Sequence, residues 1–273
     1  SSGVYSVLVD SNSDYNNISI NSTDSTKEDV IIAGDKNGIG GNFTSTNGLV
    51  AINITGSGKM LYLIENSTFL SATTDGSTIN IGASNVVFDF AGYSITGDNY
   101  TAASYNDYGV YIDGYNNTVI RNGFIYLFYK GINVNGGYHT NITNMTLEGN
   151  ADGGIYLYTS DSSALSNNTV SDCVINNNDG YTAGSEYGVD ILTSNVTIRR
   201  NNISNHEGYG IYTASSNVTV YGNNVSSNSV EGIYLSGGNY YNVSENNVSS
   251  NINRGIYISG SNSTIYKNNV SLN

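Results

Sequence analysis

The spacing most suggestive of chemistry in this chain is Glu186, Asp190, Arg199 and Arg200. A carboxylate pair with adjacent arginines is the equipment of a small lyase or hydrolase, in which one group moves a proton and a cation steadies developing negative charge. A surface ion pair of little energetic consequence is the reading the sequence favours. Asp98, Asn106 and Asp107 offer oxygen atoms for Ca²⁺, but no loop of defined ligand spacing supports a site, so no metal and no cofactor is assigned. His139 and His206 sit in corner-like contexts, Gly-Tyr-His-Thr and Asn-His-Glu-Gly, and read as solvated loop residues rather than general bases. The one cysteine, Cys173, has no disulfide partner within the chain and reads as a small buried apolar residue.

These residues hang on a repeat. Gly109-Val-Tyr-Ile, Gly131-Ile-Asn-Val, Gly154-Ile-Tyr-Leu, Gly188-Val-Asp-Ile, Gly210-Ile-Tyr-Thr, Gly232-Ile-Tyr-Leu and Gly255-Ile-Tyr-Ile share one register. The steps are 22, 23, 34, 22, 22 and 23 residues, the 34 being one unit with a 12-residue insertion between Asn176 and Tyr187. Apolar residues alternate within each unit, the mark of short strands with one face inward. Asn-Asn steps and Gly separate them and suit corners, since both tolerate left-handed backbone. Three strands and three corners per 22 residues describe one coil of an all-β, single-stranded parallel β-helix, in which corner asparagines of successive coils can bond along the axis. The repeats occupy 61–273 as one solenoid, and 1–60 reads as irregular coils or an N-terminal cap.

The unit Gly-Ile-Tyr-x-x-x-x-Asn-Val-Thr-Val-x-x-Asn-Asn-Val-Ser at Gly210 to Ser226 resembles the right-handed parallel β-helix repeat of polysaccharide lyases, polygalacturonases, NosD-type periplasmic proteins and archaeal, methanogen-like cell-surface proteins. The stretch from Ile79 to Gly97 is similar to the coil that precedes the repeats in those surface proteins. The resemblance implies the fold and leaves the activity open. The polygalacturonase motifs do not occur, and a chain with no Pro cannot carry the Arg-x-Pro-x-x-Arg of pectate lyases. NosD-type copper handling calls for clustered His, Met or Cys, whereas two His, two Met and one Cys are scattered here.

Composition narrows the partners. Nine Lys and Arg against 22 Asp and Glu, a net charge of −13, exclude a phosphate-neutralising surface and hence nucleic acid. No run approaches the roughly 18 apolar residues of a membrane span. The start, Ser1-Ser2-Gly3, reads as a mature end after signal-peptide removal, so the expected location is extracellular or at the cell surface. If the flanking apolar residues of each Gly-Ile-Tyr-Leu point inward, Tyr111, Tyr156, Tyr212, Tyr234 and Tyr257 form an outward interaction face with Asn133 and Asp190 among them. Asn-x-Ser/Thr glycosylation sequons occur at Asn17, Asn21, Asn42, Asn53, Asn66, Asn99, Asn116, Asn141, Asn144, Asn167, Asn195, Asn202, Asn217, Asn224, Asn242, Asn247, Asn262 and Asn269. Glycans at these sites would obstruct a long substrate groove. The expectation is therefore a non-catalytic, N-glycosylated cell-envelope protein that assembles with itself into a surface layer, sheath or filament. The alternatives are a polysaccharide-binding adhesin module and a β-helix polysaccharide lyase or hydrolase.

Overall fold

Alternation of apolar and polar residues sets the strands. In a computed structural model, which describes residues 7–9, 16–21, 30–32, 34–35, 37–45, 52–71, 77–98, 107–160, 165–178 and 186–273, every glycine-led repeat becomes a parallel strand. Asn99 and Asn106 lie outside these residues, and only the backbone is described for Asn21 and Asn42.

The strands Tyr108–Asp113, Lys130–Asn135, Gly153–Tyr158, Tyr187–Leu192, Ile211–Thr213, Ile233–Ser236 and Ile256–Ser259 stack in unbroken register. Among the described residues they belong to a first sheet of eleven strands, which also holds Val7–Val9 and Val30–Ile32. A second sheet, of eighteen strands among the described residues, carries two runs per coil, such as Val218–Tyr221 followed by Asn224–Ser226. In the coils of Val119–Tyr126 and Asn141–Glu148 one longer strand passes through both runs. The chain is thus a right-handed parallel β-helix with three strand segments per coil.

Inward positions form one continuous apolar column. Val110, Ile132, Val189, Ile211 and Ile233 are fully buried, as are Ile203, Val225 and Val248 on the opposite wall. Each such side chain contributes about 1.5–3 kcal/mol on leaving water. The repeat glycine has a steric cause: a Cβ on Gly210 would sit 2.6 Å from the carbonyl oxygen of Gly232 in the next coil.

Corners use left-handed backbone, which Asn adopts at least cost among residues with a side chain. Asn85, Asn117, Asn167, Asn195, Asn217 and Asn262 all have φ between 53° and 61°. Inside the corners asparagines form ladders. Asn201 donates from Nδ2 to Oδ1 of Asn223 (3.0 Å), Asn223 to Asn246 (3.0 Å) and Asn246 to Asn268 (2.9 Å). A second ladder runs through Asn150, Asn178, His206, Asn228, Asn251 and Asn273. His206 is thus a buried ladder member, 1% exposed, and not the solvated loop residue its sequence context suggested.

Candidate functional site

The outward residue of each first-sheet strand falls into a single column: Asn53, Asn80, Tyr111, Asn133, Tyr156, Asp190, Tyr212, Tyr234 and Tyr257 are register partners in succession. The last three tyrosines stack on one another. Tyr212 and Tyr234 lie 5.6 Å apart and 4° from parallel, Tyr234 and Tyr257 4.7 Å apart and 15° from parallel. Their faces are therefore turned along the helix axis, and ring edges and hydroxyls face outward. A second outward column, immediately before the repeat glycines, adds Tyr187 and Tyr209, whose rings stack at 5.6 Å and lean on Tyr212.

Asp190 stands between Tyr156 and Tyr212 in the column. It is 8% exposed, and its Oδ1 has no hydrogen-bond partner. Burial pushes its carboxyl up to about 7, with Lys130 drawing it down, Asp152 driving it up and the backbone of Ile191 drawing it down. Lys130 pairs with Asp152 (2.9 Å) and lies 4.3 Å from the centre of the Tyr156 ring. Burial also raises the Tyr156 and Tyr187 phenols to about 12, with Asp190 contributing to each. A carboxyl raised to about 7 still holds its proton on part of the molecules at neutral pH and can donate it.

The arginines expected beside Asp190 are elsewhere. Arg200 forms a bidentate pair with Asp172 (2.7 and 2.9 Å) at a corner of the second sheet, and Arg199 reaches the hydroxyl of Tyr221 (3.4 Å). Glu186 is buried one residue before Tyr187. Lys130, Asp152, Tyr187 and Tyr209 escape a reading of the Gly-x-Tyr-x motif. Lys130, Tyr187 and Tyr209 immediately precede repeat glycines, and Asp152 lies two residues before Gly154, so the motif's leading flank was the signal to follow. Asp107 is buried with its carboxyl pushed up to about 7 by burial and by Asp98, and no metal-holding group of carboxylates, His or Cys occurs among the described residues.

From Tyr108 onward every sequon lies on the second sheet or at the corner leading into it: Asn116, Asn141, Asn144, Asn167, Asn195, Asn202, Asn217, Asn224, Asn242, Asn247, Asn262 and Asn269. Asn202, Asn224, Asn247 and Asn269 are exposed and form their own axial ladder, with Nδ2 to Oδ1 distances of 2.9, 2.9 and 2.8 Å. Asn53 lies on the first sheet and Asn17 on the second, while Asn66 sits in the corner just before the second-sheet strand Ser67–Ser71.

No curated protein matches this sequence. Among solved structures, the chain is similar to the A-module of the Azotobacter vinelandii mannuronan C-5 epimerase AlgE6, with 10% identity, a TM-score of 0.45, and coverage of 94% of this chain and 87% of that one. It is also similar to the tailspike protein of E. coli bacteriophage HK620 in complex with a pentasaccharide (12% identity, TM-score 0.49, 89% and 45% covered). A third likeness is to the GH136 lacto-N-biosidase of Eubacterium ramulus (8% identity, TM-score 0.43, 88% and 62% covered). At these identities the likeness is one of fold. The expectation of a non-catalytic chain is corrected to that extent: proteins named as an epimerase and a lacto-N-biosidase share the coil, and the fold does not exclude catalysis.

The model of the NosD family, described as a periplasmic copper-binding protein, matches residues 91–273. Copper calls for accessible imidazole, thiolate or thioether. Here His206 has both ring nitrogens on backbone groups within the ladder, Cys173 is 1% exposed with its thiol pushed up to about 12 by burial, and Met145 is 1% exposed. His139 is exposed, with its Nε2 beside Asn167 (3.4 Å), and Met60 lies on a different coil. These residues do not fit a copper centre. The match nonetheless spans more than half of the 273 residues, and the chain belongs to the NosD family.

Proposed function

We propose that this chain is an extracytoplasmic solenoid that presents the outer face of its first sheet to a polysaccharide and carries N-linked glycans on its second sheet. The observation that carries the reading is the separation of the two surfaces. The stretch from Tyr108 to Ser259 lines the first sheet with tyrosines and a buried acid and places no sequon on its strands. Glycans on the second sheet would then leave the tyrosine face open, which removes the obstruction expected from the sequence. Stacked rings present a row of hydroxyls about one interstrand step apart, groups that both donate to and accept from sugar hydroxyls. The family's description as periplasmic favours a site outside the cytoplasm.

Binding to immobilised neutral and acidic polysaccharides tests the reading. Retention that falls in Tyr212→Ala and Tyr234→Ala but not in Asn224→Gln supports it, and equal retention of all three variants rejects it.

Self-association through the tyrosine face is a second reading, favoured by the stacked column of Tyr212, Tyr234 and Tyr257, whose ring edges would bury against another copy as well as against sugar. Light scattering across a concentration series decides it: a constant monomer mass rejects assembly.

A further inference from the structure

We propose that the outer face of the first sheet from Asn133 to Asp190 is a subsite for an uncharged saccharide unit, held by the acceptor oxygens of Asn133 and Asp190 on either side of Tyr156. This rests on the reading of that face as a polysaccharide surface and narrows it to one place and one class of ligand.

The two acceptors stand out from everything else in the column. Asn133 is 5% exposed and Asp190 8%, yet Oδ1 of each has no hydrogen-bond partner. Both occupy outward positions, where the adjoining coils carry Tyr111, Tyr156 and Tyr212. Buried acceptors without donors weaken a fold, and a native chain that retains two of them beside one ring has a use for them. Register sets their spacing: Asn133 pairs with Tyr156 and Tyr156 with Asp190, so they are two interstrand steps apart, about 10 Å, the span of one sugar ring with its substituents. The half-buried Tyr156 ring between them turns aside on a side-chain timescale to admit a ligand.

The groups around Asp190 select the ligand's charge. Lys130, Asp152, Tyr156, Tyr187 and Tyr212 surround it, and the Lys130 ammonium is already engaged by Asp152 at 2.9 Å and by the Tyr156 ring at 4.3 Å. An anionic sugar would meet two carboxyl groups and a cation already neutralised, on a chain of net charge −13. A neutral sugar supplies the hydroxyl donors that both oxygens lack. With its carboxyl raised by burial, Asp190 also keeps an O–H of its own for a sugar oxygen at neutral pH.

Calorimetric titration of the full chain with neutral gluco-, xylo- and galacto-oligosaccharides, and separately with oligogalacturonate, tests the subsite. A neutral series should bind. Asn133→Ala and Asp190→Ala should each weaken it about tenfold, the loss of one hydrogen bond to a ligand hydroxyl. Asp190→Asn, which keeps both an acceptor and a donor, should restore most of the affinity and make it independent of pH. Thermal melts of each variant control for folding. Wild-type affinity in both alanine variants, with loss in Tyr234→Ala, overturns the subsite and leaves the polysaccharide face standing. Binding of oligogalacturonate alone overturns the ligand class. Binding of neither series overturns the face itself and the subsite with it.

Discussion

His206 takes the place of an amide: its Nδ1 accepts the backbone N–H of Asn178 at 3.2 Å, and its Nε2 lies 3.1 Å from the carbonyl oxygen of Ile175. Asn178 does the same one coil earlier, its Oδ1 accepting from the backbone N–H of Asn150 (3.1 Å) and its Nδ2 donating to the carbonyl of Leu147 (3.1 Å). The imidazole thus reproduces one acceptor and one donor as its Nε2–H tautomer. Protonation would turn Nδ1 from acceptor to donor, giving up the N–H of Asn178 for its carbonyl oxygen, also 3.2 Å away, and would leave a cation in the core.

That geometry makes His206 an acid-sensitive element. Burial pushes its imidazole down to about 4, against the upward pull of its backbone contacts. An unfolded chain binds a proton there near pH 6.5, so stability is complete above that value and falls as pH drops toward about 4, by roughly 3 kcal/mol over the interval. His206→Asn keeps the ladder and removes the titration. Melting temperatures of variant and wild type should agree at pH 7 and separate at about pH 4.5 with the variant higher. A variant that melts lower at both values refutes the account.

Asp190 has the opposite sign. Its carboxyl is raised from 3.8 to about 7, so the folded chain holds its proton longer than the unfolded one. The stability this contributes is present at low pH and lost as pH rises from about 4 to about 7, on the order of 4 kcal/mol. Asp190→Asn should therefore melt higher than wild type at pH 8 and alike at pH 4, and any saccharide binding should become independent of pH. Asp107→Asn should show the same alkaline gain, its carboxyl being raised to the same extent.

The coil, its period and its ladders are legible in the sequence because each is repeated and because period-two alternation fixes which side chain faces outward. Gly210-Ile-Tyr and Gly232-Ile-Tyr predict the stacked pair Tyr212 and Tyr234 directly. The surroundings of Asp190 are not legible in the same way. Lys130 and Asp152 are 22 residues apart and meet only because successive coils align, while Arg199 and Arg200, close in sequence, turn a corner onto another sheet. His206 is hidden by the longer coils: it follows Asn178 by 28 residues, so a strict 22-residue frame does not align it with the ladder.

The interior ladder should be costly to break. Asn223 accepts from the backbone N–H and the Nδ2 of Asn201 and donates to the carbonyl of Ile198 (2.9 Å) and to Asn246 (3.0 Å). Asn223→Ala strands the Asn201 donors in the core, an expected loss of about 2–3 kcal/mol in a urea titration. Asn224→Ala, in the exposed ladder one residue on, should cost less than about 1 kcal/mol. Equal losses would deny the interior ladder its role.

Glycan placement follows from exposure. Glycopeptide mass spectrometry of native material should find occupancy at Asn202, Asn224, Asn247 and Asn269, whose amides line one exposed corner. Asn141 and Asn242, with buried Oδ1 atoms, should be bare. Since an N-linked amide keeps one N–H, an occupied Asn247 can still donate to Asn224. Occupancy confined to Asn53 on the first sheet would reverse the assignment of the two surfaces.

Copper provides a test in which membership of the NosD family and the arrangement of this chain's side chains diverge. Both histidines, the cysteine and both methionines lie among the described residues, and Cys173 is held in the core, its Sγ 3.2 Å from the carbonyl oxygen of Ser171. A thiol pushed up to about 12 is neither a nucleophile nor a ligand at neutral pH. A maleimide should therefore leave Cys173 unmodified in the folded chain and label it fully in guanidinium. One equivalent of Cu²⁺ should neither raise the melting temperature nor produce a copper absorption band. A stoichiometric rise would mean that the metal binds the folded state. If that rise vanished in His206→Asn but not in His139→Ala, the ladder would have to open around the metal, and the imidazole would be a ligand rather than a rung.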